Sequence, residues 1–111
     1  METKHYMEGE RLIVAPEGKL DTVNAPQFLK LLQTLLSEKP TACLLDLSAV
    51  TFLSSSGLQA LLGAAKISKK ENIKFAVCGM QAMVEDVFKM SGFNQFIESY
   101  PNKEAAEAVL S

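Results

Sequence analysis

The chain begins with two short extended segments, Lys4 to Glu8 and Arg11 to Ala15, separated by Gly9-Glu10. A two-residue gap of this chemistry predicts a β-hairpin, so the segments pair antiparallel. After a loop over Pro16 to Asp21, apolar residues recur at Phe28, Leu31, Leu32, Leu35 and Leu36. This i, i+3, i+4, i+7, i+8 spacing predicts a first helix over Ala25 to Ser37. Asn24 is placed to cap it by accepting an orphan amide hydrogen, Pro26 falls where its missing N–H is harmless, and Gln27 completes a capping-box spacing. Asp21 and Thr22 stay in the preceding loop.

Ala42 to Leu47 is almost continuously apolar between Pro40 and Ser48, the signature of a strand covered on both faces and hence the centre of the sheet. A short connection, a helix from Ser56 to Lys70 and a strand from Ile73 to Cys78 then predict a parallel βαβ unit. In that second helix Leu58, Leu61, Leu62 and Ala65 form the main apolar stripe, which Ala60, Gly63, Ala64 and Ile67 extend around the cylinder. A third helix over Gln81 to Met90 turns Met83, Val84, Val87 and Phe88 inward, with Gly92 as its left-handed C-terminal cap. A short strand at Phe96 to Glu98 and a last helix over Lys103 to Leu110, capped by Asn102, complete the chain. The expected fold is α/β, a mixed sheet of four to five strands packed with four helices in the order β-β-α-β-α-β-α-β-α.

With 111 residues, 48% of them apolar and 22% charged, the chain suits one globular domain over residues 1–111. A net charge of -2 offers no footprint for nucleic acid, and Lys66, Lys69 and Lys70 suit the solvated last turns of a helix. Met1 to Tyr6 lacks an apolar signal core and no apolar stretch reaches bilayer length, so no membrane span and a cytoplasmic location are expected. Cys43 and Cys78, both in apolar runs, read as reduced core thiols. The methionines, including Met80, Met83 and Met90, read as core gap-fillers rather than a binding groove. His5 and two separated cysteines give no metal-ligand spacing, so no metal or cofactor is expected.

The stretch FLSSSGLQALL places Ser54, Ser55, Ser56 and Gly57 at the start of the second helix. One serine there is accounted for as an N-cap, since the first-turn amides lack partners and the helix dipole is positive at that end. A nucleophilic serine needs a base within reach, and the lone histidine, His5, lies in the first strand. The leading glycine of a nucleophile elbow is absent, and so is a P-loop lysine, because Gly63 is followed by Ala64-Ala65-Lys66-Ile67. A phosphoaspartate receiver built on Asp46 and Asp21 lacks the clustered carboxylates that magnesium requires. A serine phosphorylated by another protein is compatible with this position, because a helix N-terminus accommodates phosphate without unfolding.

The run Leu45-Asp46-Leu47-Ser48-Ala49-Val50-Thr51-Phe52-Leu53-Ser54-Ser55-Ser56-Gly57-Leu58 resembles the signature of STAS domains, specifically stand-alone bacterial anti-sigma factor antagonists. Gly18-Lys19-Leu20-Asp21 is similar to the family's loop before the first helix, and Phe88-Lys89-Met90-Ser91-Gly92-Phe93 to its segment closing the third. The resemblance implies a non-enzymatic regulator that binds an anti-sigma factor serine kinase and releases a sigma factor. Phosphorylation of Ser55, with Ser56 or Ser54 as the alternative acceptor in its place, would switch it off, and a phosphatase would reset it. The implied partner-facing residues are Asp21, Ser54, Ser55, Ser56, Gly57 and Leu58. Ser54 occupies the position where the family pattern carries an acid. A STAS module acting as an unphosphorylated scaffold in a lipid-transport or signalling assembly is the alternative.

Overall fold

A computed structural model describes residues 2–110; Met1 and Ser111, the ends of the expected domain span, lie outside the described residues. The strands are β1 (Glu2–Glu8), β2 (Arg11–Leu20), β3 (Ala42–Asp46), β4 (Val50–Leu53), β5 (Lys74–Cys78) and β6 (Glu98–Tyr100). The helices are α1 (Ala25–Leu36), α2 (Ser55–Lys70), α3 (Ala82–Met90) and α4 (Lys103–Leu110). One mixed sheet runs β1-β2-β3-β5-β6, with β1 antiparallel to β2 and the other pairs parallel; β4 adds to the far end of β2. The expected α/β architecture, the hairpin and the central place of β3 all appear.

Sequence reasoning missed β4, so the sheet has six strands rather than four to five. Val50–Leu53 is four residues long with only its end residues buried, too short to show strand alternation. Its pairing also changes the reading of Pro16 to Leu20, which is the end of β2 and not a loop. Pairing with β3 ends at Val14↔Leu45, and pairing with β4 begins at Gly18↔Val50. Pro16 thus sits where the strand changes neighbours, a position that tolerates a lost donor. The register shifts between Gly18 and Lys19, and Gly18 adopts φ +95°, a conformation that strains any side chain.

One face of the sheet carries most of the core, with Phe28, Leu32 and Leu36 of α1, Leu58 and Leu61 of α2, and Val84 and Phe88 of α3 packed on Leu12, Val14, Leu45 and Val77. The opposite face is covered by Ala106 and Leu110 of α4 over Ile13, Leu44, Ala76 and Cys78. Charge completes what this short helix cannot bury. Lys103 Nζ donates to Glu8 Oε2 at 2.8 Å and to the Tyr6 hydroxyl at 3.0 Å, and Arg11 pairs with Glu107 at 3.1 Å, tying α4 to the hairpin. The Lys103 ammonium beside it holds the Glu8 carboxyl below its usual range.

Three other expectations need correction. Asn24 does not cap α1, because its backbone is helical and its side chain is used inside the preceding loop. The strand expected at Phe96 to Glu98 lies at Glu98–Tyr100, since Phe93–Gln95 form a 3-10 turn that leaves Phe96 exposed. Met83, Met90 and Val87 are exposed, because the nine-residue α3 buries only Val84 and Phe88; only Met80 of the three named methionines packs against the core. Asn102 does cap α4, accepting from the Ala105 amide at 2.8 Å, and Gly92 is left-handed as expected. Among the described residues no helix is long and apolar enough to cross a membrane.

Cys43 and Cys78 are free and buried, and burial pushes each thiol up to about 12. With both thiols buried and held in the protonated form, neither cysteine is expected to react with a disulfide reagent at pH 8 until denaturant is added. Fast release of two equivalents from native protein would contradict this packing.

Candidate functional site

The site forms where the end of β2 meets the start of α2. The Leu20 carbonyl accepts from the Ser54 amide at 3.0 Å. Gly57 packs on the same oxygen, so that a Cβ placed on it would stand 2.7 Å from the Leu20 oxygen and 2.8 Å from Leu53 Cδ1. No side chain fits there without moving backbone. The close approach holds the first turn of α2 against the loop that leaves β2.

That loop is locked by its own polar side chains. Asp21 Oδ1 accepts from the amides of Val23 and Asn24 at 3.0 and 3.1 Å, while Asn24 Oδ1 accepts from the Asp21 amide at 2.9 Å. Asn24 Nδ2 donates back to the Lys19 carbonyl. This reciprocal turn, rather than an N-cap, delivers the chain into α1. One oxygen of the Asp21 carboxylate, Oδ1, is therefore occupied in shaping the loop.

The three serines have three different environments. Ser54 is the N-cap of α2, its Oγ accepting from the Gly57 amide at 3.1 Å. Ser56 is partly buried and donates to Thr22 Oγ1 at 3.3 Å, joining the two halves of the site. Ser55, the first residue of α2, is exposed, and its hydroxyl makes no hydrogen bond among the described residues. Its amide lies outside the helix's i→i−4 ladder and at the positive end of the dipole. Gly57 and Leu58 are buried and turn toward the core. His5 lies opposite Val14, six strand residues or about 20 Å from Leu20, so the lone histidine does not accompany the serines. Asp46 Oδ1 accepts from the Ser48 amide at 3.1 Å, and Asp21 is held by its own loop, so the two carboxylates serve separate turns.

Several residues that sequence reasoning did not single out shape this end of the molecule. Thr22 supplies the contact to Ser56, Val23 is 83% exposed, and Phe52 is 48% exposed. Beside them Ala25, Pro26, Leu29, Ser56, Gln59 and Ala60 line a largely apolar depression of about 290 Å³ between α1 and α2. An apolar Val in a loop between turn-forming Asp21 and Asn24 was the available signal for an exposed contact.

The two constraints separate by substitution. Ser54→Ala is expected to cost about 1 kcal/mol of stability, whereas Ser54→Asp keeps the cap and matches the dipole at no cost. Gly57→Ala is expected to cost about 1–3 kcal/mol through overpacking. Denaturant unfolding of the variants checks both, and an unchanged midpoint for Gly57→Ala would mean that the helix start is not held as described.

The STAS domain family model matches residues 2–106. A putative anti-sigma factor antagonist from Bordetella bronchiseptica, BtrV, is 29% identical over 89% of this chain and 85% of its own. The anti-sigma-F factor antagonist RsfB of Mycobacterium tuberculosis is 28% identical over 70% of this chain and 63% of its own length. The crystal structure of an anti-sigma factor antagonist from Mycobacterium paratuberculosis has a TM-score of 0.91 at 26% identity, covering 98% of this chain and 92% of the other. On the strength of a match that spans nearly all of its sequence, joined to this six-stranded fold, the chain belongs to the STAS domain family.

Proposed function

We propose that this protein is an anti-sigma factor antagonist whose binding to an anti-sigma serine kinase is switched off by phosphorylation of Ser55. The observation that carries the reading is the division of labour among the serines: Ser54 caps α2, Ser56 bonds Thr22, and Ser55 alone is exposed and unengaged. Phosphate on Ser55 sits at a helix N-terminus, where open amides and the dipole favour an anion, so modification leaves the fold intact. The names of the relatives above support the partner class. They lend no support to a transport or signalling scaffold.

The unphosphorylated surface offers the kinase Thr22 and Val23 of the Asp21 loop, Ser55 itself and the apolar depression between α1 and α2. Asp21, Ser54, Gly57 and Leu58 act by shaping that surface. Binding buries these groups and displaces the sigma factor from the kinase. A phosphate adds about -1.5 to -2 charges at the centre of the contact, which repels acidic partner groups and imposes a desolvation cost on apolar ones. A phosphatase returns the protein to its binding state. The serine at position 54 leaves this surface without the negative charge that the family pattern places beside the acceptor, so the unmodified surface is neutral there.

Incubation with the anti-sigma kinase and ATP, followed by peptide mass spectrometry, is expected to place a single phosphate on Ser55. Ser55→Ala should abolish it and Ser54→Ala should not. A phosphate found on Ser54 or Ser56, or retained in Ser55→Ala, contradicts the assignment.

A further inference from the structure

The far end of α2 carries chemistry that the Ser55 switch does not use. Leu62, Ala65, Lys66 and Lys69 follow one another at i, i+3, i+4 and i+7 and, with Gln95 and Phe96, line a groove of about 380 Å³. Its floor is apolar, with Leu62 and Ala65 half-buried, and beside it Phe96 is 70% exposed. Its rim is cationic. Lys66 and Lys69 are exposed, and among the described residues neither has a carboxylate within ion-pair distance. Of the acids on neighbouring elements, Glu85 pairs with Lys89 at 2.7 Å, Glu71 with Lys39 at 3.9 Å, and Glu98 accepts from the Tyr100 hydroxyl at 2.9 Å. A helix dipole accounts for cations in the last turn, but not for an exposed phenylalanine beside them.

We propose that this groove docks an acidic amphipathic helix of a protein partner, its apolar ridge on Leu62, Ala65 and Phe96 and its carboxylates on Lys66 and Lys69. The lining residues of α2 span about 10 Å along the helix, the two turns over which a docked helix presents its i, i+3 or i+4 and i+7 anchors. Ala65, small and central, lets a second helix axis come close. Charge sets the sign of the partner, because an acidic flank meets two unpaired ammonium groups and a basic one is repelled. An anionic membrane fits less well, since two rim lysines fall short of the clusters of about four to eight basic residues that read as lipid-binding. A second copy of this chain fits less well too, because Glu107 of its acidic helix α4 is bound to Arg11 on the other side of the sheet.

The groove begins about 10 Å and ends about 21 Å beyond Ser55 along the helix. Its occupancy is therefore independent of the phosphorylation state, and a second partner can remain attached while the kinase is bound or released. The inference does not rest on the assignment of Ser55.

The test is an amide NMR titration of the full chain with a synthetic amphipathic helical peptide bearing leucines at i, i+3 and i+7 and glutamates on both flanks. Its twin, with every glutamate replaced by lysine, is titrated in parallel. The acidic peptide is expected to give saturable shifts centred on Leu62, Ala65, Lys66, Lys69, Gln95 and Phe96, and to bind at least roughly tenfold tighter than the twin. The double variant Lys66→Glu, Lys69→Glu should reverse the preference, Phe96→Ser should weaken both peptides, and Ser55→Glu should change neither. All four substitutions are at exposed positions, and circular dichroism is the check that each variant is folded. The proposal is overturned by equal binding of the twins, by shifts confined to another surface or absent, or by binding to phosphatidylserine vesicles in place of the peptide. Concentration-dependent shifts of the groove amides without peptide would reassign the face to self-association.

Discussion

One carbonyl oxygen, that of Leu20, organises the functional end of this domain. It accepts from the Ser54 amide and is approached so closely by Gly57 that a single methyl group would collide with it. The last strand residue of β2, the N-cap of α2 and the third residue of that helix thus share one small volume. The loop leaving Leu20 is brought beside the helix start, Thr22 meets Ser56, and Ser55 is left facing outward at a positively polarised helix end. To act as the proposed switch, Ser55 has to be both accessible and rigidly placed, and the packing of its neighbours supplies the rigidity.

The same helix has two ends with different chemistry. At its start are uncharged hydroxyls over open amides, suited to accepting a phosphate; at its finish are exposed lysines beside an exposed aromatic ring. The middle of α2 joins them through a packed face in which Leu61 and Ala64 are fully buried. In the proposed reading, a charge added at Ser55 would change what binds at one end and leave the other as it was.

Much of the fold was legible because its helices carry long, regular apolar stripes. The leucines of α1 and α2 repeat with helical spacing over enough residues to define both, and the continuous apolar run of β3 marks it as central. The N-terminal position of the serines was equally readable, since Ser54 caps its helix by a local hydrogen bond. What the sequence hid depends on contacts between distant residues. Val50–Leu53 becomes a strand only because the end of β2 is free to receive it, and Pro16 and Gly18, ordinary loop signals, lie within that strand. Asn24 has the right chemistry for a cap, but Asp21 and Lys19 use its side chain first. The clamp of Lys103 on Glu8 joins residues 95 positions apart and leaves no local pattern. At the site, the individual serines could not be told apart by position alone; their hydrogen-bond partners separate them.

The energetic demand on the switch is modest. A tenfold change in affinity corresponds to about 1.4 kcal/mol, less than the desolvation and repulsion that a doubly charged group imposes when buried against a partner. The direct measurement is a calorimetric titration of the anti-sigma kinase with this protein, unmodified and then stoichiometrically phosphorylated on Ser55. The account predicts that the phosphorylated form binds at least about tenfold more weakly while its unfolding midpoint is unchanged. Equal affinity of the two forms would contradict the central role given to Ser55.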